Sequence, residues 1–447
     1  MTPPAPDSIE HATMARVTSR LVPFIFVCYV IAYIDRVNIG FAAAELQRDL
    51  NLSDAAFGLG AGLFFLGYCV FEVPSNLILE RVGARMWIAR IMVGWGFVSM
   101  ATALVTDVWQ FYLLRVLLGV AEAGFFPGVI LYLTYWVPSG HRARTGALFL
   151  TAIPVSVIVG APVSDALLTL DGWHGLRGWQ WLFIVEGLPA VLFGVAALFY
   201  LTDRPAKAGW LTPAQRTWLT ETMAREHAAR VTHGHGSVLA SLRSGKLWLL
   251  CAIYFMNTLV TYGVFLWLPR ILRDASDDAG VPVGWLTALP FVVALAGMVL
   301  VGRHSDRTGE RKWHVAICAL VAASGLLLAI AFQDNVAMLV VAFTLSQLGQ
   351  RSLLAVFWAI PPIFLGGSAA AAGIALINSI GNLGGAVGPT VIGMLRGSSG
   401  NYTSGLLVLT AALVIEAILV ASMRLPRPVL PGVPAAAATD PVPSRSA

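Results

Sequence analysis

Charged side chains are scarce in this sequence. Asp, Glu, Lys and Arg together make up 12% of its 447 residues, whereas soluble domains carry about 25%. Hydrophobic residues make up 57%, and the mean hydropathy is +0.75. These values exclude a soluble globular protein and are typical of an integral membrane protein with many spans.

Cysteine is also rare, and its spacing shows neither a CxxC motif nor a metal site. All four cysteines lie in apolar runs, where we expect small buried side chains: Cys28, Cys69, Cys251 and Cys318. No G-x-x-x-x-G-K-[ST] motif occurs, so ATP-driven transport is unsupported. No nucleophile–base spacing appears in the apolar runs. We therefore expect no enzyme activity, no cofactor and no metal.

Long apolar runs separated by turn residues fill most of the chain. They predict twelve transmembrane helices, at 20–43, 55–79, 86–106, 108–137, 145–168, 179–202, 246–272, 284–303, 313–332, 336–365, 369–395 and 403–424. One long polar segment separates two sets of six. The predicted fold is therefore all-α and integral to the membrane, with two six-helix bundles.

The same runs divide the chain into five parts. They are an N-terminal tail at 1–19, an N-terminal bundle at 20–203, a linker at 204–245, a C-terminal bundle at 246–424 and a disordered tail at 425–447. In the linker, a Thr-Pro pair followed by good helix formers predicts a surface helix. The polar N-terminal tail and the long first run predict that no signal peptide is cleaved.

The basic residues are unevenly distributed between the two sides of the predicted membrane. Most of the 29 lysines and arginines fall on the side that an even number of spans gives to both termini. Cytoplasmic loops carry such an excess. We therefore expect both tails and the linker in the cytoplasm, and the net charge of +5 reflects topology rather than a nucleic-acid partner.

Two related segments follow the second predicted span of each half: NLILERVGAR at 76–85 and GRHSDRTGER at 302–311. Their pattern resembles G-x-x-x-D-R-x-G-x-R, the signature between spans two and three of the major facilitator superfamily. The first copy departs from it, with Asn76 for Gly and Glu80 for Asp. The acids can pair with arginines of neighbouring helices and latch one side of the protein, or the segments can be tight basic turns. The predicted gating residues are Glu80, Arg81, Arg85, Asp306, Arg307 and Arg311.

Four further motifs make the resemblance more specific. They are YIDRVN at 33–38, GYCVFEVPSN at 67–76, R-x6-EAGFFPG at 115–128 and N-x3-NLGG at 378–385. As a set they resemble the anion:cation symporter branch of the superfamily, which includes bacterial permeases for tartrate, galactonate, phthalate and hydroxyphenylacetate. The resemblance covers all twelve predicted spans. It implies a monomeric permease of the bacterial inner membrane.

Charged residues inside the predicted spans are the strongest functional signal, because a charge at that depth costs about 3 kcal/mol or more. Arg115 and Glu122 are two helical turns apart on one face, so both can line one cavity. Asp35 and Arg36 are adjacent in the first span, and the alternative to a transport role for them is a purely structural ion pair between helices. In the resembled symporters, the acids matching Asp35 and Glu122 bind protons, and the matching arginines form salt bridges and bind the substrate anion.

The predicted substrate-binding residues are aromatic, amide and arginine side chains of six spans: Tyr33, Arg36, Tyr68, Arg115, Asn257, Arg351, Trp358 and Asn378. The family pattern favours substrate contact for Tyr33 and Tyr68, and Trp358 and Asn378 match family positions associated with substrate. Arg351 matches no family position. It can bind a second substrate carboxylate or a phenolate, or it can pair with the carbonyl end of a helix.

These residues predict a secondary transporter that imports a small organic carboxylate together with protons by alternating access. Its expected partners are the acid, protons and the lipid bilayer. One alternative is an exporter of drugs or metabolites with the same fold, although three arginines within the membrane disfavour cationic cargo. Another alternative is a membrane sensor that binds the acid without moving it.

Overall fold

A computed structural model describes residues 6–232, 244–276, 281–364 and 367–424. Helices dominate this described part, which contains no strand. The predicted C-terminal tail at 425–447 lies outside it. The predicted all-α membrane fold is confirmed, and eleven of the helical segments are long and apolar enough to cross a membrane.

Eight helices form the first half of the chain. They are α1 Pro6–Leu50, α2 Asp54–Val82, α3 Ala84–Ala101, α4 Val108–Glu122, α5 Phe125–Trp136, α6 Ser139–Leu150, α7 Ala152–Leu168 and α8 Gly178–Tyr200. Side-chain caps start two of them. Ser53 accepts a hydrogen bond from the backbone of Ala56 (3.1 Å), and Asp107 accepts one from that of Trp109 (2.8 Å), which satisfies amides that a helix leaves unpaired.

The linker carries α9, Pro213–Thr232, which docks on α6 through an ion pair of 2.8 Å between Glu226 and Arg142.

The second half contains α10 Gly245–Ser276, α11 Val283–Thr308, α12 Lys312–Ala331, α13 Val336–Phe357, α14 Pro361–Phe364, α15 Gly367–Ser399 and α16 Thr403–Ser422. Helix α15 corresponds to the eleventh predicted span. It is 33 residues long, but its many Gly, Ser and Asn residues make it less apolar, and it is not among the eleven segments.

The fourth predicted span, 108–137, is divided in two. Helix α4 ends at Glu122, and α5 begins at Phe125 after Gly124, whose φ of 85° is left-handed. A side chain there would be strained, and its Cβ would overlap Ser75 of α2. The sequence reads as one apolar run, so hydropathy alone predicts one helix, but the backbone breaks just after the buried glutamate.

Within the described residues, the two halves meet mainly along three helix pairs: α1 with α10, α2 with α15, and α7 with α11. Glycine allows close approach, since a Cβ on Gly40 would lie 2.6 Å from the Leu266 carbonyl oxygen, and one on Gly58 would lie 2.6 Å from that of Pro389. Small residues at such crossings are typical of membrane helices. Large apolar side chains such as Phe199, 84% exposed, cover the outer surface and fit a lipid environment.

The two ends of the helix bundle carry different connections. We call the end with the linker and the α2–α3 and α11–α12 connections the linker face. The α1–α2, α7–α8 and α15–α16 connections lie at the opposite face, together with the end of α10 and the start of α11. Residues near the middle of α1, α2, α4, α10, α13 and α15 are therefore roughly midway between the faces.

Candidate substrate and proton site

A buried ion pair lies where the two halves meet. Arg36 of α1 donates from Nε to Glu122 Oε1 at 2.7 Å, and its Nη2 lies 2.5 Å from the same oxygen. Both side chains are at most 8% exposed. Arg36 also donates from Nη1 to the hydroxyl of Tyr262 of α10 at 3.1 Å. One guanidinium therefore joins a carboxylate of the first half to a phenol of the second.

Aromatic rings surround the Arg36 guanidinium. Its central carbon lies 5.1 Å from the ring centres of Tyr33 and Tyr68 and 5.5 Å from that of Phe64. A cation at such distances is attracted by the ring faces. These rings stabilise the charge without neutralising it, so Arg36 keeps its capacity to bind an anion.

Arg115, on α4, is 3% exposed, and its Nε has no hydrogen-bond partner. Its guanidinium lies 5.3 Å from the Phe64 ring, and it interacts electrostatically with Glu122 and Asp35. No carboxylate of the described residues lies within ion-pair distance of it. Arg115 is therefore a buried cation without a direct counter-ion.

Arg351, on α13, is also 3% exposed. Its Nε and Nη2 each donate to Gln347 Oε1 at 3.2 Å, and the Phe265 and Phe291 rings lie 5.7 Å away. Its hydrogen bonds in the described structure go to this amide and not to a helix end, and no carboxylate pairs with it there. The Phe265 ring that it contacts lies 6.3 Å from the ring of Tyr33, which belongs to the first half.

We refer to these side chains as the central cluster: Tyr33, Arg36, Tyr68, Arg115, Glu122, Tyr262 and Arg351. It holds three arginines and one glutamate. Both halves contribute to it, and Tyr33 and Phe265, with ring centres 6.3 Å apart, meet between Arg36 and Arg351. The cluster is positively charged and suited to an anion.

Asp35 lies outside this cluster, although its neighbour in sequence belongs to it. It faces α3, where it accepts hydrogen bonds from Trp95 Nε1 (2.9 Å) and Ser99 Oγ (2.7 Å), and from Asn38 of its own helix (3.3 Å). Adjacent residues on a helix point about 100° apart, which explains the separation. Both residues are buried, but they face different surroundings, and they do not pair with each other.

Asn378 contacts a glutamate across the interface between the halves. It donates to Glu72 of α2 at 2.5 Å, and Ser379 donates to the same carboxyl at 3.1 Å. The thiol of Cys69 lies nearby and donates to the Ser379 carbonyl oxygen at 3.4 Å. Glu72 lies 306 and 307 positions away in the chain from its partners Asn378 and Ser379, so no local sequence pattern indicates this contact.

The other two predicted substrate residues, Trp358 and Asn257, have different surroundings. The Trp358 ring packs edge-on against Tyr254 at 4.9 Å, in the apolar core of the second half. Asn257, 2% exposed, has an amide nitrogen without a partner. Neither contacts the central cluster through a hydrogen bond of the described structure.

The predicted gating residues lie at the linker face, and their described ion pairs stay within one half. Arg311 pairs with Asp306 at 2.6 Å, five positions earlier, and Arg85 Nε lies 3.9 Å from Asp203 after α8. Arg81 and Arg307 are exposed. The side chain of Glu80 lies outside the described residues.

Glu310 caps the start of α12 beside this loop. It accepts hydrogen bonds from the backbone of Trp313 (2.8 Å) and His314 (3.2 Å), and from the His314 ring (2.8 Å). Partial burial disfavours the charged form, but these donors outweigh it, and the pKa of Glu310 is lowered. The carboxylate therefore holds this connection in place.

Ion pairs join the two halves at the opposite face. Asp54 of α2 pairs with Arg270 of α10 (3.1 Å) and Arg396 of α15 (2.6 Å). Asp165 of α7 pairs with Arg273 of α10 at 3.4 Å. It also accepts the Gly284 backbone N–H at 3.0 Å. The first half contributes the acids and the second half the arginines, so these pairs close the opposite face.

Two helical halves that meet around a buried, positively charged cluster are an arrangement that suits a membrane transporter. Residues 25–282 and 250–446 match the family model described as Major Facilitator Superfamily. The chain belongs to the major facilitator superfamily. It is a multi-pass membrane transporter and not an enzyme.

Similar proteins support this assignment. The chain is 49% identical over 413 residues to a protein of Agrobacterium vitis named "Putative tartrate transporter", covering 92% of this chain and 91% of that one. It is 41% identical to the "Quinolone resistance transporter" of Acinetobacter baumannii, covering 92% and 94%. A crystal structure of a bacterial homologue of the human lysosomal transporter Spinster has the same fold, with a TM-score of 0.73, 18% identity and coverage of 90% and 96%.

Proposed function

We propose that this protein imports a small organic carboxylate across the bacterial inner membrane together with protons, by alternating access at the central cluster. The observation that carries the proposal is the charge of that cluster. Its charged side chains are three buried arginines and one glutamate, and among these arginines Arg36 alone forms an ion pair in the part of the chain that the structure describes. The relative named for tartrate supports an organic acid as the substrate.

The uncompensated arginines supply the affinity for an anion. A buried cation without a counter-ion is costly, so an anion that supplies the counter-charge is bound favourably. Carboxylates match the planar guanidinium fork with two parallel hydrogen bonds. Arg115 comes from the first half and Arg351 from the second, so an acid with two anionic groups can bind both halves at once.

Glu122 provides the coupling to protons. In the described state it occupies Arg36, and a substrate carboxylate has to compete with it. A proton on Glu122 removes its negative charge and releases Arg36 to the substrate. Substrate and proton therefore favour each other's binding, which is the requirement for symport.

Proton coupling also meets the energetic requirement of uptake. An anion that enters against a negative-inside potential costs about 2.3 kcal/mol per charge per 100 mV. A carrier that takes at least one more proton than the anion has charges removes this cost. Asp35, beside the cluster and within electrostatic reach of Arg115, is the proposed second coupling carboxyl.

Export is the alternative function, favoured by the relative named for quinolone resistance. Both functions use the same fold, so the direction of coupled transport has to distinguish them. Purified protein is reconstituted into liposomes, and uptake of labelled tartrate is followed with and without a proton gradient directed inwards. We expect the inward gradient to drive accumulation above equilibrium, and the Arg115→Ala protein to show none.

Two results would contradict symport of the acid. Accumulation that is driven only by a proton gradient of the opposite direction would support export. Binding of the acid, seen as protection against heating, without any flux under either gradient would support a sensor. A panel of sugar acids, dicarboxylates and aromatic acids in the same assay identifies the preferred substrate.

A further inference from the structure

A second group of buried polar side chains lies inside the first half, apart from the central cluster. Helices α1, α3, α7 and α8 contribute to it. We call it the inner cluster, and its members are at most 5% exposed: Asp35, Asn38, Ser99, Ser164 and Glu186. Two carboxyl groups in one bundle interior need a physical explanation, because burying a charge without a partner is unfavourable.

Asp35 has the hydrogen bonds that a carboxylate needs. Its Oδ2 accepts from Trp95, and its Oδ1 accepts from Ser99 and Asn38. Three donors stabilise the ionised form of a carboxyl group. The positive charge of Arg115 acts on it as well. Asp35 is therefore the member of the pair that can carry the negative charge.

Glu186 has a different environment. Its Oε1 accepts one hydrogen bond, from Ser164 at 2.6 Å, and its Oε2 has no donor. The side-chain amide oxygen Oδ1 of Asn38 also lacks a donor, and the Asn38 side chain lies within hydrogen-bonding range of the Glu186 carboxyl. No Lys, Arg or His of the described chain forms an ion pair with Glu186. Glu186 Oε2 and Asn38 Oδ1 are therefore two buried acceptors without a donor, and one additional hydrogen between them would satisfy both.

We propose that Glu186 is a buried proton-binding site: it carries a proton, donates it in a hydrogen bond to Asn38, and through Asn38 positions Asp35. The proton supplies the missing donor, so the Asn38 oxygen becomes an acceptor and its amide nitrogen stays directed at Asp35. In the series Ser164, Glu186, Asn38 and Asp35, each side chain then donates a hydrogen bond to the next. Glu186 is a positioning residue for Asp35, and this part of the inference rests on the proposed role of Asp35 in proton coupling.

Infrared spectroscopy tests the proton directly. The purified wild-type protein at neutral pH should show the carbonyl stretch of a protonated carboxylic acid that Glu186→Gln removes. The matched control is Glu416→Gln, which removes another fully buried glutamate, one from α16 in the second half. Identical spectra for wild type and Glu186→Gln in this region would overturn the proposal, whether or not the protein transports an acid.

Transport tests the positioning role. Glu186→Gln keeps a neutral donor beside Asn38, so we expect uptake with a pH profile like that of wild type. Glu186→Leu removes the donor, and its pH profile should move by about one unit, the effect of weakening one hydrogen bond to a carboxylate. Asn38→Ala breaks the same link from the other side and should give the same shift.

Other results would contradict the positioning role. If Glu186→Leu and Asn38→Ala are folded and keep the wild-type profile, Glu186 does not act on Asp35. If Glu186→Gln shifts the pH profile of uptake as far as Glu186→Leu does, the group acts as a carboxylate and not as a neutral donor. A wild-type protein whose uptake does not depend on pH would instead contradict proton coupling itself.

Discussion

Replacing Glu122 by Gln tests the competition between this carboxylate and the substrate for Arg36. The variant keeps the shape of the side chain but removes the charge that Arg36 contacts at 2.5 and 2.7 Å. Removing one partner of a buried ion pair costs about 3–5 kcal/mol, because the remaining charge is uncompensated. The ligand-free variant should therefore unfold at a lower temperature than wild type.

The substrate should reverse much of this loss. Its carboxylate can bind the released guanidinium without competing with Glu122, so saturating acid should raise the unfolding temperature more in the variant than in wild type. A ligand at about 100 times its Kd contributes about 2.7 kcal/mol in any case, so the comparison between the two proteins is what matters. Thermal unfolding in detergent, with and without the acid, measures both effects.

Transport of Glu122→Gln provides the second measurement. Without a titratable group at this position, proton-driven accumulation should be abolished, while exchange of labelled for unlabelled acid should continue. Glu416→Gln is the matched control, because this buried glutamate forms no ion pair in the described structure, and it should keep the wild-type response to the acid. An unchanged unfolding temperature together with an unchanged response to the acid in Glu122→Gln would refute the competition.

Three further predictions concern the arginines and the opposite face. Arg115→Ala should lose at least tenfold in affinity for the acid, measured by thermal shift, and an unchanged response would remove Arg115 from the site. Arg351→Ala should lower the preference for dicarboxylates over monocarboxylates in competition assays, and an unchanged ratio would indicate a structural role. Asp54→Asn weakens the pairs with Arg270 and Arg396, so spin labels on α2 and α15 at the opposite face should report a larger separated population than in wild type. Equal distance distributions would show that these pairs do not hold the face closed.

Hydropathy predicted the membrane fold because each span has to satisfy its own backbone hydrogen bonds, and apolar length alone then identifies it. The division of the fourth span was not predicted, since it depends on the left-handed backbone of Gly124 and its fit against Ser75. The EAGFFPG segment, which includes Gly124, contains both Gly and Pro, and these residues were the available sequence signal for a break in the helix. Gly124 permits the break because it can adopt a left-handed backbone, and its close packing against Ser75 fixes where α5 begins.

Some contacts of the central cluster follow from local spacing. Arg115 and Glu122 are two turns apart on α4 and interact electrostatically, and Arg351 contacts Gln347, four residues earlier on α13. Whether these residues bind substrate or protons stays a prediction. The burial of Asp35 against Trp95 and Ser99 was not predictable, because helix rotation depends on neighbours far away in the chain. Contacts between the halves, such as Glu72 with Asn378, carry no local pattern at all.

The thiol of Cys69 offers a native reporter of how the two halves separate. It is half-buried and touches the Ser379 backbone across the interface, whereas the other three cysteines are buried. A maleimide reagent should therefore modify Cys69 in the unaltered polypeptide. The rate of modification should depend on how often α2 and α15 separate. Labelling kinetics with and without the acid would follow that motion without an engineered cysteine or an attached dye.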